Sequence, residues 1–215
     1  MPFKCFIFDL DGTLVDTVKD LAEACNHMRR SLDLPEVTVE EMARLIGNGM
    51  RDVIVQSFKN IKAPADDQQI DHAVKIMRDY YLEHTVVHTC AYEGVADTLA
   101  YLKNANCKLA VVTNKYTSAT LNILKTLELD GYFDCILGNG EGFPLKPDPA
   151  LLFEAARRTD SPLTDCVMIG DNHTDLRAAG RAGIASVFVR YGYGCTDGEK
   201  PDIFIDKFSE LKALI

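Results

Sequence analysis

Five short apolar runs constrain this chain more than any other feature. They are KCFIFDL at 4–10, KLAVVT at 108–113, DCIL at 134–137, DCVMIG at 165–170 and ASVFV at 185–189. Their β-branched and aromatic content marks them as strands. None alternates cleanly between apolar and polar residues, so each reads as buried on both faces, as in a parallel sheet. Helix-like segments at 117–128, 149–159 and 173–182 separate the later runs. Thr117 or Ser118 is placed to cap the first, and Pro149 to sit in the first turn of the second. Strand–helix–strand alternation predicts an α/β fold: an open, mostly parallel, Rossmann-like sheet flanked by helices, with right-handed crossovers.

One stretch breaks this rhythm. Residues 11–107 lie between the first two runs, whereas a crossover needs only about a dozen. From Asp16 to about Asn106 no strand is expected. Successive helices are predicted at 16–32, 38–46, 49–60, 67–85 and 94–105. The last can serve as the crossover. The expected division is therefore an α/β core of residues 1–15 and 89–215 and an inserted α-helical cap of residues 16–88. Such a two-part body places a cleft between sheet and insert, where ligands favour binding.

Composition narrows the class of partner. A hydrophobic fraction of 47% with 26% charged residues is the ordinary globular mix. Lysine plus arginine is 23 against 32 acids, a net charge of −9. With no basic block to offset it, nucleic acid and anionic membranes are not expected partners. No apolar run approaches the roughly 20 residues of a membrane span. The opening MPFKCFIFDLDG lacks the pattern of a secretion signal. Seven scattered cysteines, an odd number, read as reduced thiols. A cytoplasmic location is expected, and monomer and homodimer are both open.

The acids fall at strand ends. Asp9 and Asp11 follow the first run in FDLDGTLVDT, with Gly12 permitting an immediate turn. That is the edge where open α/β sheets bind ligands. Two carboxylates so close stay ionised only beside a cation, and an all-oxygen site suits Mg²⁺. The second run ends in Thr113 and Asn114, a hydroxyl and an amide at the same edge. In LKPDP, Lys146 precedes a helix, and Pro147 and Pro149 stiffen the backbone around it. In GDNHTD, Asp171 and Asp175 stand one helical turn apart. Each motif alone has a bland reading as loop acids and helix caps. Four in this order, at predicted strand ends, do not.

These four motifs, DLDGTL, VVTN, LKPDP and GDNHTD, resemble those of the haloacid dehalogenase superfamily of phosphohydrolases, in order and over essentially the whole chain. Within it, FDLDGTLVDT, the GNG of the insert, VVTNK and GDNHTD look most like the phosphoglycolate phosphatases. The resemblance implies Mg²⁺-dependent hydrolysis of a small phosphate monoester, 2-phosphoglycolate first, through an aspartyl-phosphate. It implies that Asp9 is the nucleophile and Asp11 the general acid and then base. Mg²⁺ would be held by the Asp9 carboxylate, the Asp11 backbone carbonyl and Asp171. Thr113 and Asn114 would hold the phosphoryl oxygens and Lys146 would neutralise charge. Asp175 would orient Lys146 or a metal-bound water. Such chemistry needs these types: a cation and a lysine must offset the repulsion between an anionic nucleophile and an anionic ester.

The insert carries further candidates. Gly47–Asn48–Gly49 reads equally as a helix–helix turn and as a loop that touches the leaving group. Arg51 is placed to pair with a substrate carboxylate. Lys59 and Lys62 read as surface lysines and not as Schiff-base residues. His173 is expected to face solvent. His84 and His88 are helix-spaced but lack a third metal ligand. GNGEG at 138–142 departs from the Gly-Gly-Asp common in relatives and reads as a turn. RYGYG at 190–194 reads as a loop beside the site. The competing functions are a β-phosphoglucomutase-like phosphomutase, a phosphatase for pyrophosphate or sugar phosphates, and a non-catalytic binding protein.

Overall fold

A computed structural model of the chain describes residues 2–62 and 65–215. Residues 63 and 64, inside the expected helical insert, lie outside the described part. Six strands form one parallel sheet: β1 (Cys5–Phe8), β4 (Lys108–Tyr116), β5 (Cys135–Asn139), β6 (Cys166–Gly170), β7 (Ala185–Val189) and β8 (Ile203–Ile205). Their order across the sheet is β5-β4-β1-β6-β7-β8. β1 is therefore central, paired in parallel with β4 on one side and β6 on the other. The chain's winding reverses there, which opens a crevice at the carboxyl ends of these strands.

Both faces of the sheet are covered, as the apolar runs required. Phe6, Phe8, Leu109 and Val111 pack in one core cluster with α5 (Val95–Asn104), α6 (Thr117–Thr126) and a carboxyl-terminal 3-10 helix. Cys5, Ile7, Ala110 and Val112 turn the other way, onto α7 (Ala150–Arg158) and α8 (His173–Ala182). Successive strand residues point to opposite faces, so a strand buried on both sides must be apolar throughout.

The stretch between β1 and β4 holds α1 (Val18–Ser31), α2 (Val39–Ala43), α3 (Met50–Asn60) and α4 (Asp67–Glu83) before α5. These four pack mainly on each other, through Leu21, Met28, Met42, Ile54, Met77 and Tyr81. Capping boxes from Thr38 and Asp66 start α2 and α4, each satisfying two otherwise orphaned amides.

Several local expectations are corrected. The stretch is not free of strand: β2 (Val15–Asp16) and β3 (Cys90–Ala91) pair antiparallel. Two residues each are too few to carry a pattern. α6 is capped by neither Thr117 nor Ser118; Tyr116 stands at its N-cap. Pro149 is the N-cap of α7 and not part of its first turn. β8 and the last 3-10 helix also escape a pattern reading, since β8 has three residues at the sheet edge. No helix among the described residues is long and apolar enough to cross a membrane.

Candidate active site

The carboxyl ends of β1, β4 and β6 deliver one group of side chains. Asp9 follows β1; its amide donates to the Ile169 carbonyl at 2.9 Å. Its Oδ1 accepts from the Leu10 amide at 2.7 Å and stands 2.9 Å from Lys146 Nζ. Asp171 and Asp175 join it, with oxygens of all three carboxylates within 4.8 Å of one another. Gly12, at φ 79°, lets the chain pass directly over Asp171; a Cβ there would overlap that carboxylate.

Lys146 is locked between acids. Its Nζ donates to Asp175 Oδ1 at 2.6 Å and to the Val112 carbonyl at 2.8 Å. Burial pushes its ammonium toward neutrality, but Asp175 and Asp9 hold it above its ordinary value. Asp171 has no such partner. Burial first, then Asp9 and Asp175, raise its carboxyl well above the usual range. The amides of Tyr193 and Gly194, at 3.1 and 2.9 Å, offset this only in part. This donor set fits a hard divalent cation: buried, all oxygen, and short of positive charge.

β4 supplies the next group through an irregularity. Its register against β5 shifts between Val112 and Tyr116, so Thr113, Asn114 and Lys115 leave the ladder, as bulges beside sites commonly arrange. Thr113 lines the cavity described below. Asn114 does too, but its side chain is fully engaged. Nδ2 donates to the carbonyls of Gly47 and Lys146, both at 2.8 Å, and Oδ1 accepts from the Lys146 amide at 2.8 Å. It braces the 46–49 loop against the lysine loop. Asn172 adds a second brace, donating to the Ile46 carbonyl at 3.3 Å while capping α8. Gly47 (φ 135°) passes so near Asn172 that a side chain there would collide.

Asp11 does not bridge to the acid trio. Lys115 Nζ reaches both of its oxygens at 2.8 Å, and the Thr17 hydroxyl donates to it at 2.6 Å. Tyr193 Oη contacts Thr17 at 3.0 Å. The Lys115 side chain is 5% exposed. Burial alone would discharge it, yet Asp11 and Tyr81 hold its ammonium above the ordinary lysine value.

A cavity of about 50 Å³ opens above these groups. Asp9, Asp11, Thr113, Asn114 and Lys115 form its sheet side. Leu21, Met42, Met50, Val53, Met77 and Tyr81 form its helical wall, with Gly47 and Gly49 at the loop. Arg51 is absent from this lining. Its guanidinium binds Asp71 and, at 3.0 Å, Asp67, and half of its side chain faces solvent. The expected carboxylate partner is thus turned outward, held by two acids at the start of α4. Asn48 also points away, toward Asp52 at 3.3 Å. His173 is half-buried, not solvent-facing. His84 bonds the Tyr80 carbonyl and stacks on its ring. Among the described residues, Asp9, Asp171 and Asp175 form the one cluster with metal-ligand geometry.

Lys115, Asn172 and Tyr193 escaped the sequence reading. Lys115 follows VVTN directly, and Asn172 stands between two acids within GDNHTD. Those positions were signals that could have found them. RYGYG lies beside the site as expected, but its amides hold Asp171, which no side-chain pattern reveals.

Comparison with known proteins places this geometry. The family model described as haloacid dehalogenase-like hydrolase matches residues 6–189. A phosphoglycolate phosphatase of Aquifex aeolicus is 32% identical, covering 99% of this chain and 96% of its own. One of Nitrosospira multiformis is 35% identical over 90% and 86% of the two chains. The crystal structure of a predicted phosphoglycolate phosphatase from Haemophilus somnus superposes with a TM-score of 0.90 at 30% identity, over 98% and 97% of the chains.

Proposed function

The chain belongs to the haloacid dehalogenase-like hydrolase family, and from that membership we propose that it hydrolyses 2-phosphoglycolate to glycolate and phosphate. The observation that carries the reading is the placement of Asp9, paired with Lys146 at 2.9 Å, and of Asp11 on the lining of one small cavity. Asp9 Oδ1 is engaged by Leu10 and Lys146, which leaves Oδ2 as the attacking oxygen. Attack on phosphorus expels the alkoxide, and Asp11, entering this step in its protonated form, supplies the proton. In the second half, Asp11 takes a proton from the water that attacks the aspartyl-phosphate, and Asp9 is regenerated. Splitting the displacement in two lowers each barrier, and a placed acid–base contributes about 10²–10⁴-fold.

Thr113 faces the phosphoryl oxygens. Asn114 positions the Lys146 backbone and the loop at Gly47. A Mg²⁺ held by Asp9, Asp171 and the Asp11 backbone carbonyl would offset the negative charge of the phosphoryl group. Asp175 fixes Lys146. The volume is room for roughly three to five water-sized positions, which suits a short leaving group. Among the described residues the wall from the inserted helices carries no basic side chain, so a second phosphate finds no cation on that side, which disfavours the phosphomutase.

The test is phosphate release from 2-phosphoglycolate, sugar phosphates, pyrophosphate and nucleotides, with Mg²⁺ or EDTA. The expected result is the highest kcat/KM on 2-phosphoglycolate, abolished by EDTA and by Asp9→Asn. A different preferred ester overturns the substrate. Turnover retained by Asp9→Asn overturns the mechanism.

A further inference from the structure

Two features of the cavity are left over by the reading above, and they lie side by side. Among the described residues, Lys115 is the one cationic side chain in the lining. Its Nζ stands 4.7 Å from the centroid of the Tyr81 ring. Tyr81 is 1% exposed, and its hydroxyl has no hydrogen-bond partner among the described residues. A buried, unpartnered hydroxyl costs stability, so its presence on the cavity wall calls for a ligand that completes it. The rest of that wall is methionine, leucine and valine.

We propose that Lys115 and Tyr81 form a carboxylate-reading subsite for the leaving group. The inference rests on the phosphatase reading and adds how the site selects an anionic alcohol. An acid-bearing ester enters a pocket lined by Asp9 and Asp11, so its remote charge needs a cation away from the phosphoryl end. Lys146 is committed to Asp9 and Asp175, and Arg51 is committed outside to Asp67 and Asp71. Lys115 remains. In the free protein its ammonium rests on Asp11; its flexible stem lets it be shared with a second carboxylate. Tyr81 Oη supplies the neutral donor. Charge-assisted bonds of this kind discriminate strongly, because a ligand lacking the acid leaves the donors unpaired.

The experiment compares kcat/KM for 2-phosphoglycolate and for ethyl phosphate, which carries a methyl group where the carboxylate stands. Lys115→Met is expected to lower the ratio of kcat/KM for 2-phosphoglycolate over ethyl phosphate by about tenfold or more, whatever loss the two esters share through Asp11. Lys115→Arg should recover part of the preference. Tyr81→Phe should lose about tenfold on the acid alone, and should melt at or above the native temperature because an unpaired hydroxyl is gone. If Lys115→Met does not fold, as judged by circular dichroism, the Tyr81→Phe ratio decides. Equal losses on both esters overturn the subsite and leave the phosphatase reading standing. Native turnover of ethyl phosphate without 2-phosphoglycolate overturns the proposed substrate and the subsite together. Release from neither ester, with another ester hydrolysed, does the same.

Discussion

Asp171 is buried, yet among the described residues only two amides and a Thr13 hydroxyl at 3.5 Å donate to its oxygens. Its raised carboxyl reflects burial and the neighbouring Asp9 and Asp175. A divalent cation relieves all three causes. Mg²⁺ at about a hundred times its dissociation constant should therefore stabilise the fold by about 2.7 kcal/mol, a melting-temperature rise of about 5–10 °C for a chain this size. Differential scanning calorimetry with Mg²⁺ and with EDTA checks this. Asp171→Asn should abolish the rise without lowering the metal-free melting temperature. The opposite sign is expected at Lys146, the buried ammonium between two acids. Lys146→Ala should cost about 3–5 kcal/mol in urea unfolding and remove activity. Asp171 was readable because it follows a predicted strand, and Lys146 because it stands in LKPDP just before a predicted helix. The pairing of Lys115 with Asp11 was not, because the two stand 104 positions apart and only the bulge in β4 brings them together.

At the scale of elements, the segments joining helices to sheet are the informative ones. Asp20, in the first turn of α1, accepts the amides of Val87, His88 and Thr89 and the Thr89 hydroxyl, all at 2.7–3.0 Å. It clips the returning chain just before β3. Asp20→Ala strips three backbone donors of their acceptor and should cost about 3 kcal/mol. Urea denaturation gives the magnitude, and hydrogen exchange should show protection lost at residues 87–89. The longer helices were legible from their 3.6-residue period and their caps. β2 and β3 were not, since strands of two residues exist only through the partner that pairs with them. β8 was missed for a related reason: a three-residue edge strand has too little apolar pattern to be seen.

For the whole molecule, we propose that residues 16–88 are a separable cap. The two clusters flanking the sheet draw no fully buried member from α1–α4. The helical cluster in turn takes Ala119 as its one fully buried residue from the core. Asp16 and Cys90 are paired neighbours, so a two-residue Asn-Gly turn can replace residues 17–89. The shortened chain should melt cooperatively. It should lose more than about 100-fold in kcat/KM for 2-phosphoglycolate, because the wall that excludes water and Tyr81 are gone. Failure to fold as an isolated α/β unit would sink the division.

Local pattern by itself determined five of the six sheet strands, the α-helices that cover them and the strand-end acids. Burial on both faces, turn chemistry and helical period act within a few residues, so they leave their marks in the sequence. Tertiary structure alone decided that Arg51 faces outward onto Asp67 and Asp71, that Asn114 braces loops instead of standing free, and that Lys115 meets both Asp11 and Tyr81. Those outcomes depend on which distant charges and carbonyls reach each side chain first. That competition is settled by distances across the fold, which no run of neighbouring residues encodes.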